Sequence, residues 1–266
     1  MAAATKGRQP SRAVPADSEE ERLRRVRRER RWRRAAGSVL IAVAFVAVAI
    51  AISRGTGAGP PKPGSPQARA DASAVARLLR GVPQSGVTLG SPRAPVTVIE
   101  FADLECSVCQ AFALGAERQL ISHQVRSGEV KLEYRSLCTA TCAGPLGRGG
   151  FAGQQAAAYA AGRQNLAWYY VQIFYAEQGS EGTAYVTPYY LDGLARQVPG
   201  LRYRKWRSDS ALKQLHEAVA VDKRAAARQG FNTTPTIVVT GPRGRAHAIV
   251  GEPSYGMLLA AIKSVA

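Results

Sequence analysis

At 266 residues the chain holds one domain of ordinary size plus extensions. Its formal net charge of +17 raises nucleic acid as a partner, but the distribution of that charge argues against one. Much of the excess lies in Arg22 to Arg34, directly ahead of the only long apolar segment, Ala35 to Ile52, and reads more simply as a membrane-topology signal.

Residues 1–34 are a basic tail, expected in the cytoplasm, whose first 21 residues are polar, Ala-rich and charged and expected to be disordered. Residues 35–53 read as a transmembrane helix of signal-anchor type, uncharged from Ala35 to Ile52 and about the minimum length that spans a bilayer. Basic residues before the span and far fewer after it set the N-terminus inside and the rest of the chain outside the cytoplasm. The alternative is a cleaved signal peptide, with Ala47-Val48-Ala49 as a small-residue cleavage site. Both readings export the domain. Four cysteines in an exported chain are free to be oxidised, and local spacing favours Cys106–Cys109 and Cys138–Cys142.

Residues 54–86 contain a Gly- and Pro-rich linker, read as a semi-extended tether over Arg54 to Ala70, and then a short amphipathic helix from Asp71 to Arg80 with Asp71 as N-cap. Val87-Thr88-Leu89 is a short strand, and the apolar run Val96 to Phe101 is the central strand. A helix is expected from Cys106 to about Arg126 with Phe112, Leu120 and Ile121 in the core, then a strand from Val130 to Leu137 parallel to the first.

Cys138 to Gly150 reads as a loop, followed by a helical block at about 150–230. Within it Thr187-Pro188 opens one helix running to about Val198, and Ser210 to Gln229 forms another, with Leu212, Leu215, Val219 and Ala226 inward. Thr236 to Val239 is a strand, and Gly241-Pro242-Arg243-Gly244 turns into its partner His247 to Val250. A helix from about Ser254 to Val265 closes the chain. The order is β–α–β, helices, β–β–α, an α/β arrangement that resembles thioredoxin with helices inserted between its halves.

Two further groups of residues extend that likeness. Glu100-Phe101-x4-Cys106-x-x-Cys109 and Thr234-Pro235-Thr236 resemble the active site and cis-proline loop of DsbA-like thiol–disulfide oxidoreductases. The helical block, through its Ala pairs followed by Gln164, Trp168, Phe174 and Gln178, and the ending Gly251-x-Pro253-x-Tyr255-x-x-Leu258 are also similar to that family. The resemblance covers residues 87–266 and implies a membrane-anchored bacterial member with a thioredoxin-like fold.

Cys106 comes first and sits at a helix N-terminus, so it is the expected nucleophile; thiolates in such settings, thioredoxin and DsbA among them, have pKa values of roughly 3.5–7.5. Cys109, one turn on, is the expected resolving thiol. An inert stapling disulfide or half of a zinc site are the competing readings, and zinc needs two further close ligands. The resemblance implies a cis Thr234–Pro235 bond facing the cysteines, leaving neighbouring backbone free to pair with an extended substrate; the alternative is an ordinary trans proline at a strand start. Glu100 lies where the family carries a buried acid that shuttles the resolving cysteine's proton, unless it is solvated or Asp103 or Glu105 does this work. Asp103 and Glu105 are otherwise expected to help cap the helix.

Ser107-Val108, between the cysteines and beside the substrate path, lacks the histidine of strongly oxidising members, so oxidase and reductase both stay open. Cys138–Cys142 reads as a structural disulfide, with a second redox relay and a metal site as alternatives. His123, His216 and His247 are spread widely and read as surface or packing residues. No cofactor and no metal are expected. The expected function is extracytoplasmic disulfide formation in reduced exported proteins, with reoxidation by a quinone-linked membrane partner as the resemblance implies. A reductase or isomerase of the same fold is the first rival, although no dimerisation module is seen. A thioredoxin-like metal-handling or binding domain is the second.

Overall fold

The computed structural model describes residues 59–266, which fall within one compact unit. The basic tail, the expected span at 35–53 and Ala47-Val48-Ala49 lie outside the described residues. Among the described residues no helix is long and apolar enough to cross a membrane.

Helix α1 spans Pro66–Leu79, starting earlier than the sequence suggests. The Ser65 side chain accepts a hydrogen bond from the Ala68 amide at 3.2 Å, and Pro66 occupies the first turn, so Ser65 caps the helix and Asp71 lies inside it. Pro60 and Pro63, ahead of it, pack on the domain rather than hanging free. A Cβ on Gly193 would fall 2.4 Å from Pro63 Cγ, so only glycine allows that approach.

The sheet has seven strands: β1 (Gln84–Ser85), β2 (Thr88–Leu89), β3 (Val96–Ala102), β4 (Val130–Ser136), β5 (Thr236–Gly241), β6 (Gly244–Arg245) and β7 (Ile249–Val250). The spatial order is β1-β2-β4-β3-β5-β6, with β7 also on β5. β3 and β4 are parallel, and β5 runs antiparallel to β3 with Glu100 opposite Ile237 and Phe101 opposite Thr236. This is the expected βαβ and ββα pairing in a mixed sheet. The return strand is split in two, β6 and β7, instead of running from His247 to Val250.

Alternation along β3 divides the core. Val98 shares the larger cluster with Leu132, Ile237 and Val239, whereas Phe101 joins Leu137, Ala226 and Val238. Glu100, on the same strand face as Val98, is only 2% exposed.

The helix after the cysteines is broken into α2 (Ser107–Leu114) and α3 (Ala116–Leu120), followed by a π-helical turn at Ile121–Val125. Gly115 makes the break: its φ and ψ are −105° and −101°, and a Cβ there would lie 2.9 Å from the Ala111 carbonyl. Phe112, Leu120 and Ile121 are buried.

Between β4 and β5 the chain forms α4 (Ala140–Ala143), α5 (Gly147–Gly162), α6 (Ala167–Ala176), α7 (Pro188–Gln197), α8 (Tyr203–Ser210) and α9 (Lys213–Arg228). The expected loop at 138–150 thus contains α4 and the start of α5. Thr187 caps α7 through the Tyr190 amide, with Pro188 in the first turn. Trp168 is fully buried and donates its indole N–H to the Val87 carbonyl at 2.9 Å, which joins the helical block to the sheet. Its replacement by Ala costs about 3–5 kcal/mol. The last helix, α10 (Tyr255–Val265), is capped by Ser254.

Candidate functional site

β3 ends at Ala102 and the chain turns through Asp103 to Glu105 into α2, whose N-cap is Cys106. The Cys106 sulfur accepts the Cys109 amide at 3.4 Å, as an N-cap oxygen would. As a thiol it reaches the Thr234 carbonyl at 3.5 Å, across 128 positions of sequence. The Thr234–Pro235 peptide bond is cis. Cys106 and Cys109 are free thiols in this structure.

Cys106 is only 6% exposed, and Cys109 is fully buried. The outward-facing part of the motif is Ser107-Val108, with Val108 41% exposed. The Cys109 thiol, the Thr234 side chain and the Val108 and Cys109 amides together hold the Cys106 thiol down to about 6, against the opposing effect of burial. Burial pushes the Cys109 thiol well above its usual value, and the hydrogen bond to Cys106 and the charges of Cys106 and Glu100 add to this. The two sulfurs are therefore inequivalent. The outer one carries charge near neutrality, and the inner one holds its proton.

Glu100 lies beneath this pair. Neither of its carboxyl oxygens has a hydrogen-bond partner among the described residues. Burial raises its pKa well above the usual value, and the neighbouring Glu117 carboxyl and then the charge of Cys106 raise it further. Glu117, on α3, is 1% exposed and accepts a hydrogen bond from the Gln172 amide of α6 at 2.5 Å. Burial raises it to about 7. Glu100 and its neighbour Glu117 are thus two buried carboxyls that each hold a proton more firmly than an exposed carboxyl does.

Asp103 and Glu105 do not cap α2. Asp103 is fully buried, and its carboxylate accepts the amides of Glu105, Thr139 and Thr141 at 3.1, 2.8 and 3.0 Å, as well as the Thr141 hydroxyl. It thereby holds the turn that carries the Cys138–Cys142 disulfide, which is formed with a Cα–Cα separation of 5.6 Å. Glu105 is also buried, and Gln154 donates to it at 3.2 Å. The carboxylate at the start of α2 comes from elsewhere: Glu181 accepts the Ser107 amide at 2.8 Å.

The helical block is bound to the active-site turn. Gln178 donates to the Leu104 and Cys106 carbonyls at 2.6 and 3.2 Å, and Gln110 donates to the Tyr175 carbonyl at 2.8 Å. Thr139 and Thr234 hydroxyls bond to each other. The structure thus gathers Glu100, Cys106, Ser107, Val108, Cys109, Thr234 and Pro235 at one place and sets Cys138–Cys142 beside it. His123, His216 and His247 join no group of metal-ligating side chains among the described residues.

Sequence reasoning missed Glu117, Gln172, Glu181 and the destination of Asp103. Glu117 carried a usable signal, because it stands three and four residues before the core residues Leu120 and Ile121 and so lies on the buried stripe. Glu181 carried none, since its partner Ser107 lies 74 positions away.

The family model described as thioredoxin matches residues 83–250. The probable disulfide bond formation protein D of Bacillus anthracis is 23% identical over 155 residues, which cover 58% of this chain and 69% of that protein. The crystal structure of oxidised BdbD from Bacillus subtilis superposes with a TM-score of 0.57 at 20% identity, covering 68% of this chain and 95% of that one. DsbA of Chlamydia trachomatis gives a TM-score of 0.55 at 20% identity, over 66% and 89% of the two chains. At these identities the two structures establish a shared fold.

Proposed function

The chain belongs to the thioredoxin family, and we propose that it is a DsbA-like protein thiol–disulfide oxidoreductase that forms disulfides in exported proteins. The observation that carries this reading is the placement of the Cys106 sulfur 3.5 Å from the Thr234 carbonyl at the cis Thr234–Pro235 bond, with Cys109 buried behind it.

In the oxidative direction the Cys106–Cys109 disulfide is the reactant. A substrate thiolate attacks the Cys106 sulfur, the bond between the two cysteines breaks, and Cys109 leaves as a thiolate. That thiolate takes a proton from Glu100, whose burial keeps it protonated. A second substrate thiolate then attacks the substrate sulfur of the mixed disulfide. The substrate disulfide forms and Cys106 leaves as a thiolate. Two electrons have passed to the enzyme. A leaving thiol that titrates near 6 departs faster than an ordinary one, and its stability as a thiolate favours the reduced enzyme. This preference supports oxidation over reduction, even without a histidine between the cysteines.

The arginine run ahead of Ala35 to Ile52 supports a single-pass anchor with the N-terminus cytoplasmic and the catalytic domain outside. In that place the reduced enzyme returns its two electrons to a quinone-linked membrane partner. The Cys138–Cys142 disulfide serves as a structural clamp on the turn that Asp103 binds.

Replacing Cys106 by Ser tests the assignment. Oxidation of a reduced substrate protein is expected to stop, and undiminished oxidation by the variant overturns the reading.

A further inference from the structure

A cavity of about 450 Å³ opens beside the turn closed by Cys138–Cys142, between α9, the start of α5 and the segment Phe231–Asn232. Leu137, Phe151, Val219 and Phe231 supply its apolar wall, and the Cys138–Cys142 disulfide lies along one side. Arg148, His216 and Lys223 stand at its rim, all three exposed, and no acidic residue lines it. Among the described residues none of these three bases has a hydrogen-bond or ion-pair partner. The cavity also adjoins the cis-proline loop. Asn232 stands two residues before Thr234, and Cys138 is followed by Thr139, whose hydroxyl bonds to that of Thr234.

We propose that this cavity is a substrate subsite that selects polypeptide segments carrying an apolar side chain next to a carboxylate. The inference rests on the reading that Cys106 acts on extended protein substrates. The volume and apolar wall suit one large aliphatic or aromatic side chain, whose burial supplies affinity. The uncompensated bases at the rim attract a carboxylate across a range of about 8–10 Å at ordinary salt and fix which segments are retained. A chain passing Thr234 therefore has a second point of attachment on the Cys138–Cys142 side, and it discriminates against basic segments through repulsion at Arg148 and Lys223.

The test is a titration of the full-length protein with two fluorescent, cysteine-free peptides that differ only in bearing Asp or Lys beside a central Leu, followed by anisotropy. The Asp peptide is expected to bind about 10-fold tighter at low salt, a difference near 1.4 kcal/mol. That advantage should shrink as salt is raised, and the Arg148→Glu/Lys223→Glu double variant should lose it. Equal binding of the two peptides by the wild-type protein overturns the proposal, as does an advantage insensitive to salt. Capture of anionic phospholipid vesicles or of an oligonucleotide, with no binding of the Asp peptide, also overturns it. The salt series uses the wild-type protein alone, so it decides the matter even if the double variant does not fold. Oxidation of a small uncharged dithiol by the wild-type protein reports separately on Cys106 and Cys109; its absence defeats the proposed function and leaves the binding result standing.

Discussion

Thr139 and Thr234 share a hydrogen bond between their hydroxyl groups, which ties the turn closed by Cys138–Cys142 to the residue whose carbonyl faces the Cys106 sulfur. Asp103, three residues before Cys106, holds the same turn from the other side through the Thr139 and Thr141 amides. The nucleophile is thus framed by the hydrogen bonds of a buried carboxylate, and its own amide donates to the Asp103 carbonyl at 3.1 Å.

The first consequence concerns pH. Cys106 titrates near 6 in the folded protein and near 9.0 in an unperturbed setting. A depressed pKa stabilises the folded reduced protein fully above the unfolded value, and that contribution is lost as pH falls through about 6. The melting temperature of the reduced form, relative to the disulfide form, should therefore rise between about pH 6 and pH 8. Glu100 and Glu117 titrate in both forms and largely cancel in the difference. A flat or falling difference would contradict the assignment of the low pKa to Cys106.

Thr234→Val removes one of the groups that stabilise the thiolate. Alkylation of the reduced protein across a pH series should show the Cys106 midpoint moving upward from about 6, with the fold retained. An unmoved midpoint would mean that the Thr234 side chain has no part in stabilising the thiolate.

Glu100→Gln removes the proton donor beneath Cys109. Formation of the mixed disulfide with substrate, the step in which Cys109 leaves, should slow by about 100-fold, at the lower end of what a positioned acid or base contributes. Glu117→Gln acts differently, because it removes the repulsion that helps hold Glu100 protonated. The alkaline limb of the activity profile should move to lower pH while the neutral-pH rate changes little. A uniform loss of rate with no shift in the profile would assign Glu117 a packing role only.

Asp103→Ala leaves the amides of Glu105, Thr139 and Thr141 without their acceptor. Hydrogen bonds to a charged group contribute about 1.5–3 kcal/mol each, so the variant should lose about 3 kcal/mol or more in chemical denaturation. Removing the Cys138–Cys142 disulfide should cost less, about 2 kcal/mol, because it closes a loop with a sequence separation of only 4. If the disulfide proved the costlier loss, the clamp would be covalent and Asp103 secondary.

Much of this architecture is legible in the residues. The apolar runs at Val96 and Thr236 read as buried strands, and the caps at Thr187 and Ser254 are local signals that the structure repeats. What stayed hidden depends on distant partners. An acid at position 103 looks like a helix cap until the turn at Thr139, 36 positions on, supplies its donors. The break at Gly115 follows from backbone dihedrals that an uninterrupted apolar periodicity conceals. The Gly-rich stretch from Gly144 to Gly150 reads as loop, yet tertiary packing of Phe151 and the Ala-rich face draws its second half into α5.

The direction of electron flow is the claim on which the account turns, and the reduction potential of the Cys106–Cys109 pair tests it most directly. A thiolate held near 6 at a helix N-terminus should favour the dithiol and place the potential above about −200 mV, towards the value of about −120 mV known for DsbA. A value at or below about −270 mV, where thioredoxin lies, would contradict the account and assign the protein to reduction.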